Sequence, residues 1–254
     1  MIRFASLGSG SKGNGTLVES GQTRVLLDCG FFLRDAEQRL GRFGIEAASL
    51  SAIVVTHEHA DHLGGVARLA RKHHIPVWLT HGTFAAWDDP LVPRVHHFSP
   101  QDVFRIGELE LRPFPVPHDA REPCHYVFSD GSLRIGVLSD AGSVTPHMRA
   151  CLSGLDALLL EFNYDPQMLA DGPYPPPLKA RVGGNLGHLS NRQSAELLKQ
   201  IDCTRLQHLV LTHLSEKNNK PELALAAARE GLGDAPPWMV CAHQADGLAW
   251  REVV

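Results

Sequence analysis

The chain lacks the features of membrane-spanning and secreted proteins. Its apolar runs, such as Leu155 to Phe162, are far shorter than the roughly 20 residues that a membrane helix needs. The N-terminal residues Met1 to Phe4 pass directly into a Gly/Ser-rich loop, which leaves no apolar core for a secretory signal. We therefore expect a cytoplasmic protein with no membrane span.

Cysteine pairs and an excess of positive charge are also missing. The five cysteines are scattered and form no Cys-x-x-Cys motif, so we expect reduced thiols rather than a zinc ribbon or redox site. The formal net charge of −4 argues at first sight against nucleic-acid binding, which relies on basic side chains. Two bound divalent cations would offset this charge and concentrate positive charge at one site, so net charge leaves the substrate open.

Short apolar runs of strand length recur along the chain, with segments at helical spacing between them. Strands are predicted at 2–7, 16–19, 24–28, 52–56, 77–80, 109–114, 126–129, 133–139, 156–161 and 207–212. This pattern predicts an α/β fold in which layers of helix, sheet, sheet and helix are stacked as a four-layer αββα sandwich. A length of 254 residues suits one such core, and we expect a single domain over residues 1–254.

Helices are predicted where apolar residues recur at helical spacing, near Ala36 to Phe43 and Leu63 to Ala70. A third follows the capping box that begins at Ser190. A fourth extends from Pro221 to Leu232 and ends before a glycine. The proline-rich stretch from Pro173 to Pro177 is predicted to be a surface loop.

Histidine is abundant, with fifteen in the chain, and the decisive segment is His57-Glu58-His59-Ala60-Asp61-His62. It places three imidazoles and a carboxylate directly after the strand predicted at 52–56. Imidazole and carboxylate ligands together suit zinc, manganese or iron. In an extended turn, His57 and His59 point to one side and can bind one metal, while Asp61 and His62 face a second. A solvated polar loop is the alternative interpretation.

Further ligand candidates stand where other apolar runs end. His118, Asp140 and His213 each follow a predicted strand, so each strand would deliver one ligand to the same edge of a sheet. Asp28 follows a strand in the same way, and we assign it to orienting a ligand histidine rather than to metal binding.

These residues resemble the pattern of the metallo-β-lactamase superfamily, in which Asp is followed by His-x-His-x-Asp-His and then by His, Asp and His. The resemblance implies that His57, His59 and His118 bind a first metal, that Asp61, His62 and His213 bind a second, and that Asp140 bridges them. Asp61 is also a catalytic candidate. The match extends over residues 28 to 213 and is specific for the superfamily rather than for a substrate.

Narrower features resemble the YycJ/WalJ branch of exonuclease-like hydrolases. They are the opening Ser-Gly-Ser-Lys-Gly-Asn, the segment beginning Pro117-His118, the Leu-Gly-His-Leu-Ser-Asn run at His188, and the segment after His213. This branch is associated with trimming DNA from a 5′ end. His125 stands where the family is expected to have glycine, so the local loop there is expected to differ.

His188 and His213 share the tripeptide His-Leu-Ser and could exchange roles. We assign His213 to metal because an apolar strand precedes it. His188 lies between a glycine-rich loop and a capped helix, so we assign it to catalysis and phosphate binding. A surface histidine near a helix cap is the alternative. Other candidates for substrate or phosphate binding are Ser9, Lys12, Asn14, Ser190, Ser215 and Asn218, and weaker ones are the basic loop residues Lys179, Arg181, Arg192, Lys217 and Lys220.

The resulting hypothesis is a dinuclear phosphodiesterase, a 5′→3′ exonuclease on DNA. Its nucleophile would be a hydroxide shared by two Zn²⁺ or Mn²⁺ ions. Two alternatives stay open. One is a small-molecule hydrolase acting on a thioester, lactone or cyclic phosphodiester with the same metals, and the other is a non-catalytic metal-binding module.

Overall fold

The computed structural model describes residues 1–89 and 91–254, and its strands form two seven-stranded sheets. The first sheet contains β1 (Ile2–Gly8), β2 (Gly15–Ser20), β3 (Thr23–Leu27), β4 (Ala52–Val54), β5 (Val77–Thr80), β6 (Val95–Phe98) and β14 (Leu248–Val253). The second contains β7 (Phe104–Ile106), β8 (Leu109–Pro115), β9 (Cys124–Ser129), β10 (Arg134–Leu138), β11 (Ala157–Glu161), β12 (His208–Thr212) and β13 (Met239–Cys241). The strand orders are β14-β1-β2-β3-β4-β5-β6 and β13-β12-β11-β10-β9-β8-β7.

The helices of the first half of the chain are α1 (Leu33–Arg42), α2 (Ala60–Leu63), α3 (Val66–His73) and α4 (His81–Ala85), with a 3₁₀ turn at Ala47–Ser49. Those of the second half are α5 (Pro146–Leu152), α6 (Pro166–Asp171), α7 (Pro176–Val182), α8 (Asn191–Gln200) and α9 (Pro221–Leu232). Among the described residues, no helix has the length and apolar character needed to cross a bilayer.

Three layers of buried apolar side chains hold these elements together. One lies between the two sheets and includes Phe4, Tyr126 and Leu159. A second packs α1 and α3 against the outer face of the first sheet. The third packs α5, α8 and α9 against the outer face of the second sheet. The predicted αββα sandwich is therefore confirmed, while the single domain over residues 1–254 stays a prediction.

Strand direction brings the predicted site residues to one edge of the sandwich. In the first sheet β3 and β4 are parallel. In the second sheet β8 and β10 are both antiparallel to β9, and β11 and β12 follow β10 in parallel. The carboxyl ends of β8, β10, β11 and β12 therefore point in one direction, and His118, Asp140, Glu161 and His213 lie at or just beyond these ends.

Some sequence expectations were wrong in detail. Pro176 and Pro177 begin α7 instead of lying in a loop. Proline fits the first turn of a helix because the backbone N–H that it lacks would have no acceptor within the helix there. The helix predicted near Leu63 to Ala70 is two helices, interrupted at Gly64 and Gly65. His125 lies within β9 rather than in a loop.

A buried hydrogen bond joins the two sheets beside the histidine segment. The Tyr126 hydroxyl on β9 donates to the Val55 carbonyl, just after β4, at 2.6 Å. The Cys124 backbone N–H donates to the Thr56 carbonyl at 3.1 Å. Because His57 follows Thr56 directly, these two bonds fix the start of the histidine segment relative to the second sheet.

We expect Tyr126→Phe to lower the free energy of unfolding by about 1–3 kcal/mol, because it leaves the Val55 carbonyl buried without a donor. Urea unfolding at constant metal concentration measures this difference. Tyr174→Phe is the matched control, since the half-exposed Tyr174 hydroxyl makes no hydrogen bond within the described residues. Equal midpoints for the two variants would show that the bond between the sheets contributes nothing measurable.

Candidate metal centre

The first group of predicted ligands comes from the loop after β4 and from the end of β8. Donor atoms of His57, His59 and His118 all lie within 4.8 Å of one another. His59 Nδ1 and His118 Nε2 are 3.2 Å apart. His118 Nδ1 lies 3.0 Å from the Gly187 carbonyl, which fixes the ring so that Nε2 faces the other two histidines.

The second group contains Asp61, His62 and His213, whose donor atoms also lie within 4.8 Å of one another. Asp61 Oδ2 is 3.4 Å from His213 Nε2 and 3.5 Å from His62 Nε2. The segment from His57 to His62 therefore contributes to both groups, as expected for a turn that continues into α2.

Asp140, after β10, stands between the two groups. Its Oδ2 is 3.1 Å from His62 Nε2, and its Oδ1 is 4.0 Å from His118 Nε2. Each carboxylate oxygen thus faces an imidazole of a different group. This is the arrangement that a bridging ligand requires.

Asp28 is buried behind the second group and makes three hydrogen bonds. It accepts from the Thr56 backbone N–H at 2.8 Å and from the Thr56 hydroxyl at 2.9 Å. His62 Nδ1 lies 2.8 Å from Asp28 Oδ2. The carboxylate therefore holds the His62 ring with Nε2 directed at Asp61 and Asp140, so Asp28 orients a ligand in this geometry.

Glu161, the last residue of β11, is a site residue that the sequence reasoning missed. It is wholly buried. Its Oε1 is 2.8 Å from His188 Nδ1 and 3.3 Å from His213 Nδ1, and its Oε2 accepts the Leu189 backbone N–H at 2.9 Å. Burial opposes ionisation, but the nearby His188 charge and the histidine hydrogen bonds lower its pKa to about 2. The available signal was an acidic residue ending an apolar strand, the same signal that identified Asp140.

His188 lies outside the two predicted ligand groups, but one of its ring nitrogens lies within 4.8 Å of donor atoms of Asp140, Glu161 and His213. Its ring stacks on that of His213, with centroids 5.3 Å apart. With Nδ1 engaged by Glu161, Nε2 makes no hydrogen bond within the described residues, and the ring lines the cleft. Burial opposes protonation of His188, but Glu161 and Asp140 outweigh it and raise its pKa. His188 can therefore carry a proton on a ring that borders the cleft.

The cluster has the properties of a cation site. His57 Nε2 and Asp140 Oδ2 are buried polar atoms without a hydrogen-bond partner among the described residues. Burial keeps the pKa of His57 well below its ordinary value, which leaves a neutral imidazole. Burial also opposes protonation of His213, but the surrounding carboxylates, Asp140 first, raise its pKa to about 10. The buried carboxylates are thus stable as anions only with positive charge nearby. The His/Asp donor set suits a divalent metal ion.

Three of these residues adopt left-handed backbone conformations, which are uncommon for residues other than glycine. The φ angles are 60° at Asp28, 49° at Asp140 and 55° at His213. Asp28 and His213 directly follow a strand, and Asp140 is the second residue after one. Such a conformation costs about 1–3 kcal/mol and is typical of functional sites.

Most of the predicted substrate-binding side chains are engaged in the loops around the cluster. Ser9 Oγ accepts the His213 backbone N–H at 2.8 Å, and Asn14 Nδ2 lies 3.1 Å from His62 Nε2. Ser190 caps α8. Ser215 and Asn218 are buried and bond to each other. Lys12 is exposed and pairs with Glu216 at 2.7 Å. In this geometry these residues shape the site, and substrate contact by any of them remains a prediction.

Comparison with known proteins gives a consistent result. A model of the beta-lactamase superfamily domain matches residues 23–214. The exodeoxyribonuclease YycJ of Bacillus anthracis is 34% identical over 235 residues, which is 91% of this chain and 89% of that protein. The exodeoxyribonuclease WalJ of Streptococcus pneumoniae is 32% identical over 245 residues, which is 91% of each chain.

A solved structure supports the fold. The metallo-beta-lactamase fold protein YhfI from Bacillus subtilis superposes with a TM-score of 0.76 at 16% identity, over 99% of this chain and 100% of that one. The chain therefore belongs to the metallo-β-lactamase superfamily of metal-dependent hydrolases, within the family that includes YycJ and WalJ.

Proposed function

We propose that this chain is a dinuclear phosphodiesterase that removes nucleotides from DNA as a 5′→3′ exonuclease. The observation that carries the proposal is the similarity to exodeoxyribonucleases YycJ and WalJ along 91% of the chain. The geometry supports it, because the ligand cluster opens into a cleft of about 380 Å³ that His188 also lines.

Two divalent ions, Zn²⁺ or Mn²⁺, fit the donor set. His57, His59 and His118 would hold the first, Asp61, His62 and His213 the second, and Asp140 would bridge them. The distances from the two Asp140 oxygens to His62 and His118 support this assignment. When bound, such ions stabilise charge on phosphoryl oxygens and make hydroxide available near neutral pH.

The chain's own residues would complete the reaction. Glu161 holds His188 Nδ1, so the opposite nitrogen can contact the phosphate or donate a proton to the leaving oxygen. Asp61 lines the same cleft, so it would lie beside the reacting phosphate as well as in the proposed ligand set. Glu161 acts through His188 and is a positioning residue.

We expect two metal ions per chain, because the seven proposed ligands are too many for one tetrahedral site. Elemental analysis of protein loaded with Zn²⁺ or Mn²⁺ measures the stoichiometry. Asp140→Ala should abolish activity and weaken the second ion more than the first. His97→Ala, at an exposed histidine outside the cluster, is the control and should keep both ions. A single saturable site in the unaltered protein would contradict the dinuclear assignment.

The roles of His188 and His213 predict opposite metal contents. His188→Ala should keep both ions but lower kcat by about 10²- to 10⁴-fold, the range typical of a positioned acid or base. His213→Ala should lose metal together with activity. If His188→Ala loses a metal while His213→Ala keeps both, the two roles are reversed.

Cleavage should require a free end and should weaken as salt rises, because phosphate contacts compete with counterions. Linear and covalently closed circular DNA of the same sequence are compared, with 5′- and 3′-labelled strands to report direction. The closed circle should resist cleavage. Rapid cutting of the circle would instead identify an endonuclease.

A further inference from the structure

One wall of the cleft is formed by a segment that takes no part in the core. Tyr174, Leu178, Arg181 and Val182 line this wall, and several of the proposed metal ligands line the same cleft. No residue of α7 is buried. Since α7 contributes no fully buried side chain, its placement serves the cleft rather than the hydrophobic core.

Polar contacts fix this wall relative to the cluster. Arg181 Nε donates to Asp119 Oδ2 at 2.6 Å. The other oxygen of Asp119 lies 3.5 Å from His118 Nε2. At the end of α7, the His188 backbone N–H donates to the Val182 carbonyl at 2.9 Å. The Asp119 carboxylate therefore links Arg181 to the proposed metal ligand His118. The backbone bond at Val182 links the same helix to His188.

Arg181 has hydrogen-bond donors that remain available to a ligand. Its side chain is 60% exposed, and Nε makes its only hydrogen bond in the part of the chain that the structure describes. A guanidinium presents five N–H donors, so the terminal nitrogens remain available to phosphate oxygens while Nε stays bonded to Asp119.

The aromatic ring of Tyr174 lies in the same wall, on a segment whose backbone is conformationally restricted. Pro173 precedes it and Pro175 follows it, which restricts the backbone on both sides. The Lys217 ammonium lies 5.9 Å from the ring centroid. A half-buried aromatic ring flanked by cations is the combination with which proteins bind single-stranded nucleic acid, where bases stack on rings and phosphates contact basic groups.

We infer that Tyr174 and Arg181 form a subsite for one unpaired nucleotide next to the scissile phosphate, with its base stacked on Tyr174 and a phosphate on Arg181. The inference rests on the proposed function and specifies its substrate as a DNA end whose terminal nucleotide is unpaired when it enters the cleft. A cleft of about 380 Å³ lies at the small end of ligand pockets. A base held in a duplex cannot reach such a ring without leaving its stack.

The stacking is tested by changing the protein and the substrate together. Single-stranded DNA is compared with the same strand carrying abasic residues at its terminal positions. Tyr174→Leu should lower kcat/KM on the normal strand by about 5- to 150-fold, the range for stacking of one base. Tyr174→Phe should recover most of the loss. On the abasic strand, Tyr174→Leu should match the unaltered protein. An equal loss on both strands would overturn the stacking.

The phosphate contact is tested through salt dependence. Arg181→Gln should reduce the slope of log affinity against log salt by about 0.7, the value for one contact to a single strand. Arg105→Gln is the matched control, because Arg105 forms an ion pair of similar exposure with Glu110 outside the cleft, and its slope should not change. An unchanged slope for Arg181→Gln would overturn the phosphate contact.

A binding measurement separates failure of the subsite from failure of the proposed function. Fluorescence anisotropy with the His188→Ala variant, in which turnover is expected to be about 10²- to 10⁴-fold slower, reports binding of both strands before appreciable cleavage. Base-dependent binding that requires Tyr174 would support the subsite even if the unaltered protein cleaved no nucleic acid, a result that would overturn the function alone. Cleavage without base-dependent binding would overturn the subsite and leave the function standing.

Discussion

Two buried carboxylates, one from each sheet, are the constraint on which the site depends. Asp28 directly follows β3 and holds His62 Nδ1 at 2.8 Å, and Glu161 ends β11 and holds His188 Nδ1 at the same distance. A buried carboxylate is unfavourable unless hydrogen bonds and opposite charge compensate it. Backbone N–H groups and imidazoles provide this compensation. Each carboxylate thereby fixes one imidazole ring, and the position of both rings follows from the strand ends.

This arrangement is possible because the surrounding scaffold is rigid. Left-handed backbone at Asp28, Asp140 and His213 is unfavourable and persists only where neighbouring structure determines it. The core between the sheets and the bond from Tyr126 to the Val55 carbonyl provide that restraint close to the histidine segment. The concentration of carboxylates there requires positive charge. In the metal-free chain protons on imidazoles such as His213 provide it, and bound cations would take their place.

The sequence located the histidines and carboxylates of this cluster for a physical reason. Apolar runs delimit strands, and a polar residue soon after a buried run lies at the sheet edge, so Asp140 and His213 could be located without knowing which strands are neighbours. Glu161 satisfies the same rule but was overlooked, because its partners His188 and His213 are distant in sequence and only the sheet order brings them together. Edge strands such as β6 were missed because a histidine-rich strand with little buried surface lacks the apolar pattern.

The weakest sequence signal lies where substrate choice is expected to be made. Patterns of burial and periodicity identify residues that the core requires, and α7 has no buried residue to give such a pattern. Tyr174 therefore looked like part of a proline-rich loop, and Arg181 like one of several basic loop residues, until the fold placed both in the cleft that His118 lines. Because the proposed ligands are fixed by strand ends and this wall is not, a change in the wall need not disturb the cluster of histidines and carboxylates. The pattern of proposed ligands thus indicates the chemistry, whereas the substrate must be inferred from the exposed wall of the cleft.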